Sequence, residues 1–371
     1  MKEVKLREIC RIEKGKQIDT SQLRTDSPYK YINGGIKESG YYHEYNTDSE
    51  AVLVSEGGAS CGYVNYVNEK FWCGCHCYKL TESKTLAKYL YYALKGNQDK
   101  IMELRSGAAM PNIKKEVFKN MSLLVDFDKN NQQAIVETLD CIQKAINNKT
   151  DELSSLDELV KSRFIEMFIG KGFEQCKIKY LVDRKITTSK KGHLPTDLIK
   201  YIDISSIDNQ KNEVVSYTEY KLLDAPSRAQ QCLIENDILV STVRPNLKNI
   251  AINRYNDSNV VGSSGFCVLR STLCNPLYLL HCILTDDFTT QMTALTSGAS
   301  YPAIRDNDVI DYEVINPPIE LQNQFAEFVK LIDKSKFVCH SKNFLCDIFT
   351  FSSSTIAYPS VVSIFVCPKR C

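Results

Sequence analysis

The chain has 371 residues, enough for two domains of ordinary size, and its 46 Lys and Arg are balanced by 45 Asp and Glu. That balance excludes a global basic field for indiscriminate nucleic-acid binding, so any such binding must come from local patches. Fifteen Cys with no amino-terminal signal sequence fit a reducing cytoplasm better than a disulfide framework, and no apolar run approaches the length of a membrane span.

Residues 1–126 carry short β-favouring runs such as AVLVS, Ala51–Ser55, broken by Gly, Asn and Ser, and predict a mixed α/β domain. The Gly-rich stretch SEGGASCG, Ser55–Gly62, lacks the Lys-Ser/Thr of a P-loop and the GxGxxG spacing. A turn between strands is expected there, with a backbone-amide contact to a DNA phosphate as the functional alternative. Placed on one strand, CGCHC at Cys73–Cys77 puts three thiols on one face and His76 on the other, which opposes a single tetrahedral metal site. Buried cysteines acting as small apolar residues are expected instead. The domain closes with SGAAMPNIKKEVFKN, Ser106–Asn120.

Residues 127–172 predict a long helix. Its apolar positions alternate in steps of four and three through Ile135, Leu139, Ile142, Ile146, Leu153, Leu156, Val160 and Met167, a heptad seam interrupted only by Lys149 and Arg163. Gly170 and Gly172 end it. At 1.5 Å per residue this seam extends about 50 Å.

Residues 173–317 then repeat the first domain. SGASYPAIRDNDVID, Ser297–Asp311, returns 191 residues after its first copy, and Gln322, Phe325, Val329 and Ile332 answer Gln132, Ile135, Leu139 and Ile142 at a separation of 190. So long a period excludes a solenoid of small repeats and predicts two copies of one domain-plus-helix unit. Tyr31 and Ile32 match Tyr201 and Ile202, LVS at Leu53 matches LVS at Leu239, and CYKL from Cys77 matches CVLR from Cys267. The offsets drift between these matches, so loops differ in length on a shared frame, as expected of two domains that read different targets.

A second, shortened helix is expected over 318–347. Lys336, Cys339, Asn343 and Cys346 fall where Ile146, Lys149, Leu153 and Leu156 stood, so the stripe is lost after Ile332. The tail, 348–371, is Ser- and Cys-rich and has no acidic residue. A change of reading frame near Lys336–Cys339 accounts for both features, and a C-terminal β-hairpin is the alternative. NPPI at Asn316–Ile319 is similar to the motif of adenine-amine methyltransferases, but Ile replaces the stacking aromatic and no Gly-rich cofactor loop precedes it. The Pro pair is expected to end a strand and start the helix.

No Ser/His/Asp or Cys/His set is picked out by spacing. What remains is local loop chemistry: Lys14 and Lys16, Ser55, Lys114 and Lys115, Arg184 with Lys185, Lys190 and Lys191, Arg244, Asn246 and Lys248 within VRPNLKN, and Arg305. Arg and Lys can take guanine edges or phosphates, and Asn can read adenine. A solvated face is the plain alternative for each.

The two domain-plus-helix units, with SGAAMPNIKKEVF, SGASYPAIRDNDV and the helix entry PPIELQNQF, Pro317–Phe325, resemble the specificity subunit of type I restriction-modification systems over roughly residues 1–336. The resemblance implies two target-recognition domains, each followed by a long helix, with the helices paired as an antiparallel coiled coil. It implies a non-catalytic subunit that binds a bipartite target in double-stranded DNA. Methyltransferase subunits, which bind S-adenosylmethionine, and an ATP-driven nuclease/translocase subunit would be its partners, and the chain itself would hold no cofactor. The loss of the second stripe implies weaker association with the methyltransferase. A non-DNA coiled-coil scaffold and a truncated, inactive specificity subunit are the competing readings.

Overall fold

A computed structural model describes residues 1–107, 110–298 and 302–341, the side chains from 337 onward excepted. The described residues form two units, one spanning Met1–Thr150 and the other beginning at Asp151, so the division falls inside a helix.

The first unit runs β1 (Lys2–Lys5), α1 (Leu6–Ile9), β2 (Arg11–Lys14), β3 (Tyr29–Ile32), β4 (Gly40–Tyr42), β5 (Ala51–Ser55), β6 (Val64–Val67), β7 (Phe71–Cys73) and β8 (Cys77–Thr81). It continues through α2 (Ala87–Lys95), α3 (Gln98–Glu103), α4 (Lys115–Phe118), β9 (Ser122–Val125) and the start of α5 (Lys129–Phe168). Its sheets are β1-β9, β2-β8-β5-β6 and β4-β3-β7. Apolar side chains of β5, β8, α2 and α4 meet in one core around Val54, Leu90, Leu94, Ile101 and Phe118, and Ile135, Val136 and Leu139 of α5 pack on it.

The second unit follows the end of α5 with β10 (Gln175–Lys177), β11 (Val182–Asp183), α6 (Ser189–Gly192), β12 (Leu198–Ile202), β13 (Ile207–Asp208), β14 (Glu213–Val214), β15 (Thr218–Lys221) and β16 (Ala229–Cys232). Then come β17 (Ile238–Ser241), β18 (Ile250–Ile252), β19 (Val260–Ser263), β20 (Phe266–Ser271), α7 (Pro276–Ile283), α8 (Asp286–Ala294), α9 (Asp306–Ile310), β21 (Glu313–Ile315) and α10 (Ile319–Ser341). Sheets β10-β21, β11-β20-β17-β18-β14-β13 and β15-β12-β19-β16 reproduce the first unit's three sheets with β13, β14 and β16 added. The mixed α/β class and the duplicated frame are those the sequence predicts.

Strand pairing tests the repeat residue by residue. Parallel pairs β3/β7 and β12/β19 place Tyr31 opposite Trp72 and Tyr201 opposite Val261, in agreement with the Tyr-Ile match. The cysteine match needs correcting by one residue. Ser55 faces Cys77 and Ser241 faces Phe266, so Phe266 stands where Cys77 does, and Cys267 where Tyr78 does. A one-residue slip exchanges the two faces of a strand, so pattern alone cannot register two short runs that are buried on both faces.

Each long helix is tied to its own unit by a buried glutamine. Gln132 accepts the Leu86 N–H at 2.8 Å and donates to the Asp126 carbonyl at 2.6 Å. Gln322 accepts the Asn275 N–H at 2.9 Å and donates to the Pro317 carbonyl at 2.8 Å. Leu86 and Asn275 are the residues that cap α2 and α7, so each glutamine amide meets the N–H of a capping residue, one of the groups a helix start leaves without an intrahelical partner. Three residues past each cap a tyrosine hydroxyl reaches the strand before the long helix or its end: Tyr89 to Asp126 N–H at 3.0 Å and Tyr278 to the Ile315 carbonyl at 2.7 Å.

Asp128 starts α5 by accepting the Asn130 and Asn131 N–H groups, and Gly170 at φ 71° follows its end. The expected seam departs from the structure along this helix. Ile135, Leu139, Ile142, Leu153, Leu156 and Met167 are half-buried, Val160 is buried, and Ile146 is exposed. Phe164 and Phe168 are the buried residues of the last turns, and Arg163, taken as a break in the seam, sits partly exposed with its guanidinium 5.9 Å from the Phe328 ring. An α-helix drifts about 20° per heptad against a strict 3.5-residue repeat, which moves the inward direction on by a position. Phe325, Val329 and Ile332 of α10 are buried as the stripe predicts, together with Ala326. Phe164 and Phe168 meet Phe325, while Asp157 pairs with Lys336, so contacts run in opposite directions along the two helices. The tail at 348–371 and the last part of the helix expected to 347 lie outside the described residues.

Two motifs resolve into structural roles. CGCHC is not one strand: Cys73 ends β7, Cys77 begins β8, and the turn between them carries Cys75 and His76. Cys73 and Cys77 are buried, and a hydrogen bond with Cys73 together with burial pushes the Cys77 thiol far up. Among the described residues no three His, Cys, Asp or Glu side chains gather as a metal-binding set. In NPPI, β21 ends at Ile315 and α10 begins at Ile319, so the Pro pair makes the strand-to-helix turn. Among the described residues no helix is long and apolar enough to cross a membrane.

Candidate nucleic-acid interface

In both units the repeated segment closes on itself and then onto the strand core. Ser106 and Asn112 exchange N–H···O bonds at 2.9 Å each, as Ser297 and Ala303 do at 3.0 Å. The next residue's N–H reaches the turn after β5 or β17: Ile113 to the Glu56 carbonyl and Ile304 to that of Thr242, both at 2.9 Å. That turn answers with a second bond, from Gly58 N–H to the Pro111 carbonyl at 3.0 Å and from Arg244 N–H to that of Pro302 at 2.8 Å. The Gly-rich stretch is thus a turn after a strand, and Gly58 is the structural counterpart of Arg244.

Both residues are left-handed, Gly58 at φ 77° and Arg244 at φ 51°. Glycine adopts that region freely, whereas an L side chain there meets the following carbonyl and costs on the order of 1 kcal/mol. Lys248, at φ 52°, closes the same turn. Between them Pro245–Leu247 forms a single 3-10 turn, held by Leu247 N–H to the Arg244 carbonyl at 2.9 Å and Lys248 N–H to that of Pro245 at 3.0 Å. Asn209 also donates to the Leu247 carbonyl at 2.9 Å. Arg244 and Asn246 are exposed on this turn, and Lys248 pairs with Asp286 at 2.6 Å, holding that carboxyl below its usual range. Arg305 lies directly after the stitched Ile304 and heads α9. The structure therefore brings Arg244, Asn246, Lys248 and Arg305 onto adjoining segments. Lys190 and Lys191 belong elsewhere: they are exposed on α6, which Ser189 anchors to the Ala229 carbonyl of β16 at 2.7 Å.

In the first unit the candidates separate. Ser55 is 4% exposed, and its N–H donates to the Tyr63 carbonyl at 2.9 Å. Lys14 is spent on a structural partner, Glu56, at 2.7 Å. That carboxylate is buried and also accepts from the Tyr78 hydroxyl at 3.1 Å, while burial and the nearby Glu56 charge push the Tyr78 phenol up. A buried charge needs such partners, so Lys14 contributes to the fold before it can serve a ligand. Lys16, Lys114 and Lys115 are exposed. Arg7 and Lys84, which no motif marks, join Lys115 around one hollow. Contacts made across so many residues of sequence leave no local signal.

Residues 1–156 match the family model described as the type I restriction modification DNA specificity domain. Over 151 residues the chain is 33% identical to a Mycoplasma genitalium protein named as a type I specificity subunit, covering 40% of this chain and 38% of that protein. A Mycoplasma pneumoniae protein with the same designation is 31% identical over 156 residues, covering 41% of each chain. The matched stretch thus spans about two fifths of the length of these relatives, 38% and 41%. The fold is similar, at TM-score 0.60 and 19% identity, to the crystal structure of the S subunit of a type I restriction-modification system from M. genitalium, covering 95% of this chain and 94% of that one.

Proposed function

We propose that the chain, whose residues 1–156 match the type I restriction modification DNA specificity domain, acts as a specificity subunit of that kind: it binds double-stranded DNA sequence-specifically and each unit reads one part of a split target. The observation that carries this reading is a hydrogen-bond frame repeated in both units while the side chain on its exposed turn changes, Gly58 in one and Arg244 in the other. A common scaffold with different reading residues is what two half-sites require. The continuous 40-residue α5 suits a spacer, since at 1.5 Å per residue it measures about 60 Å against roughly 34–36 Å for a turn of duplex.

The chain itself is non-catalytic in this proposal and holds no cofactor. Methyltransferase subunits and a nuclease/translocase subunit supply the chemistry, with the helices, paired as an antiparallel coiled coil, as their docking element. The opposed contacts of Phe325 and Lys336 along α5 support that pairing.

Two measurements test the reading. Affinity for duplex should fall steeply between low and moderate salt as counterions return to the phosphates. Methylation sequencing of cells carrying the gene with its neighbours should show one split, adenine-methylated motif. Salt-insensitive or absent duplex binding overturns the proposal and leaves a coiled-coil scaffold.

A further inference from the structure

A hollow of about 500 Å³ opens on the first unit among α1, the start of β2, the segment before α2, and α4. Its floor at Ile9 and Cys10 is buried, and its rim carries Arg7, Lys84 and Lys115, all exposed. Two further cations on the rim are already satisfied, Arg11 by Glu82 at 3.2 Å and Lys119 by Glu116. Arg7, Lys84 and Lys115 form no ion pair among the described residues. Arg7, Arg11, Lys84, Lys115 and Lys119 outnumber Glu8 and Glu82 in this lining, which makes a local anion-attracting field in a chain whose charges otherwise cancel.

The duplicated frame supplies a control within the same molecule. Leu6 N–H donates to the Met121 carbonyl at 2.9 Å and Ile178 N–H to that of Tyr312 at 3.1 Å, which makes Lys179 the counterpart of Arg7. Lys84 N–H donates to the Ile9 carbonyl at 2.8 Å and Leu273 N–H to that of Leu181 at 3.2 Å, so Leu273 replaces Lys84. The stitched Ile113 and Ile304 place Asp306 where Lys115 stands. Lys179 is in turn neutralised by Asp311 at 2.7 Å, a residue whose counterpart in the first unit is Asn120. Every free cation of the hollow is therefore lost, reversed or paired in the second unit.

Resting on the DNA-recognition reading, we propose that this hollow grips the phosphate backbone of duplex DNA and that the second unit has no equivalent grip. Its cations all lie within the residues that match the DNA specificity domain, which favours duplex phosphates over the acidic face of a partner protein. The first unit then contributes a sequence-independent hold, while the second depends more on its base-reading turn.

The test uses the full chain and a duplex of about 30 base pairs lacking the target, with Kd followed against salt. Each phosphate contact contributes a slope of about 0.9 in log Kd against log salt, so R7Q/K84Q/K115Q should lower the slope by about 2 to 3. The charge-preserving R7K/K84R/K115R should keep it. Inorganic phosphate at matched ionic strength should not displace the duplex. An unchanged slope in the Gln variant with a parent-like Tm overturns the proposal alone, as does loss of slope in the charge-preserving variant or displacement by inorganic phosphate. Loss of methyltransferase binding with the slope intact assigns the hollow to a protein and also overturns it. A parent chain with no salt-dependent binding overturns both this proposal and the function on which it rests.

Discussion

Arg244→Gly tests reading against folding at a position where the two units differ in side chain. The residue is left-handed, at φ 51° and ψ 61°, at a position that the first unit fills with Gly58. Glycine relieves about 1 kcal/mol of backbone strain, against an entropic cost of roughly 0.5–1 kcal/mol, so the backbone contribution to stability should change by less than about 1 kcal/mol. For a unit of this size that is a Tm shift within about 4 °C. If the guanidinium takes a base edge, its loss should cost about 1–3 kcal/mol on the cognate duplex, or roughly 5- to 150-fold in Kd. Arg244→Ala keeps the strained backbone but is spared glycine's entropic cost, so it should lie within about 0.5 kcal/mol of the Gly variant in stability while binding equally poorly. Arg244→Lys retains a charge without the two-pronged fork, so affinity for non-cognate duplex should persist while discrimination falls. The assay is anisotropy titration on cognate and scrambled duplexes, paired with thermal melting. Parent-like discrimination by the Gly variant refutes a reading role. Stability and binding lost in parallel would instead make Arg244 a structural residue.

Two further substitutions probe the frame. Gln322→Leu strands the Asn275 N–H and the Pro317 carbonyl in a buried setting, and at about 1–3 kcal/mol per unmet group it should lower urea stability by roughly 2–6 kcal/mol, with Gln132→Leu doing the same in the first unit. A loss below about 0.5 kcal/mol would show that the glutamines do not tie helix to unit. His281 has its pKa lowered to about 4, chiefly by burial and then by the Lys336 ammonium, with Asp157 opposing and the Phe325 ring alongside. Its unfolded value is about 6.5, so between pH 6.5 and 4 the unfolded chain takes up a proton that the fold refuses. That contribution is fully present above pH 6.5 and declines on acidification by up to roughly 3 kcal/mol. His281→Gln should flatten the fall in urea midpoint between pH 7 and 4.5, and an equal fall in both proteins rules this out.

How much was legible in the sequence depends on whether a residue acts through its neighbours in the chain or through distant ones. The spacing of Ser106 and Ser297, and of Gln132 and Gln322, exposed the duplication because those residues make the same backbone-directed bonds in both units. What the glutamines do was hidden, since their partners Leu86 and Asn275 carry no side-chain signature for a bond made by a main-chain N–H. Lys14 and Lys115 look alike as text, yet one is consumed by buried Glu56 and the other stands free at the hollow. A cation read from sequence is always positive, but its net pull on DNA depends on whether the fold sets a carboxylate beside it. The pairing of Lys179 with Asp311 where Arg7 has Asn120 shows one frame making that choice both ways. Between the units the free cations differ at Arg7/Lys179, Lys84/Leu273 and Lys115/Asp306, all side-chain changes around a shared set of main-chain bonds, so one frame can carry a cationic hollow in one copy and not in the other.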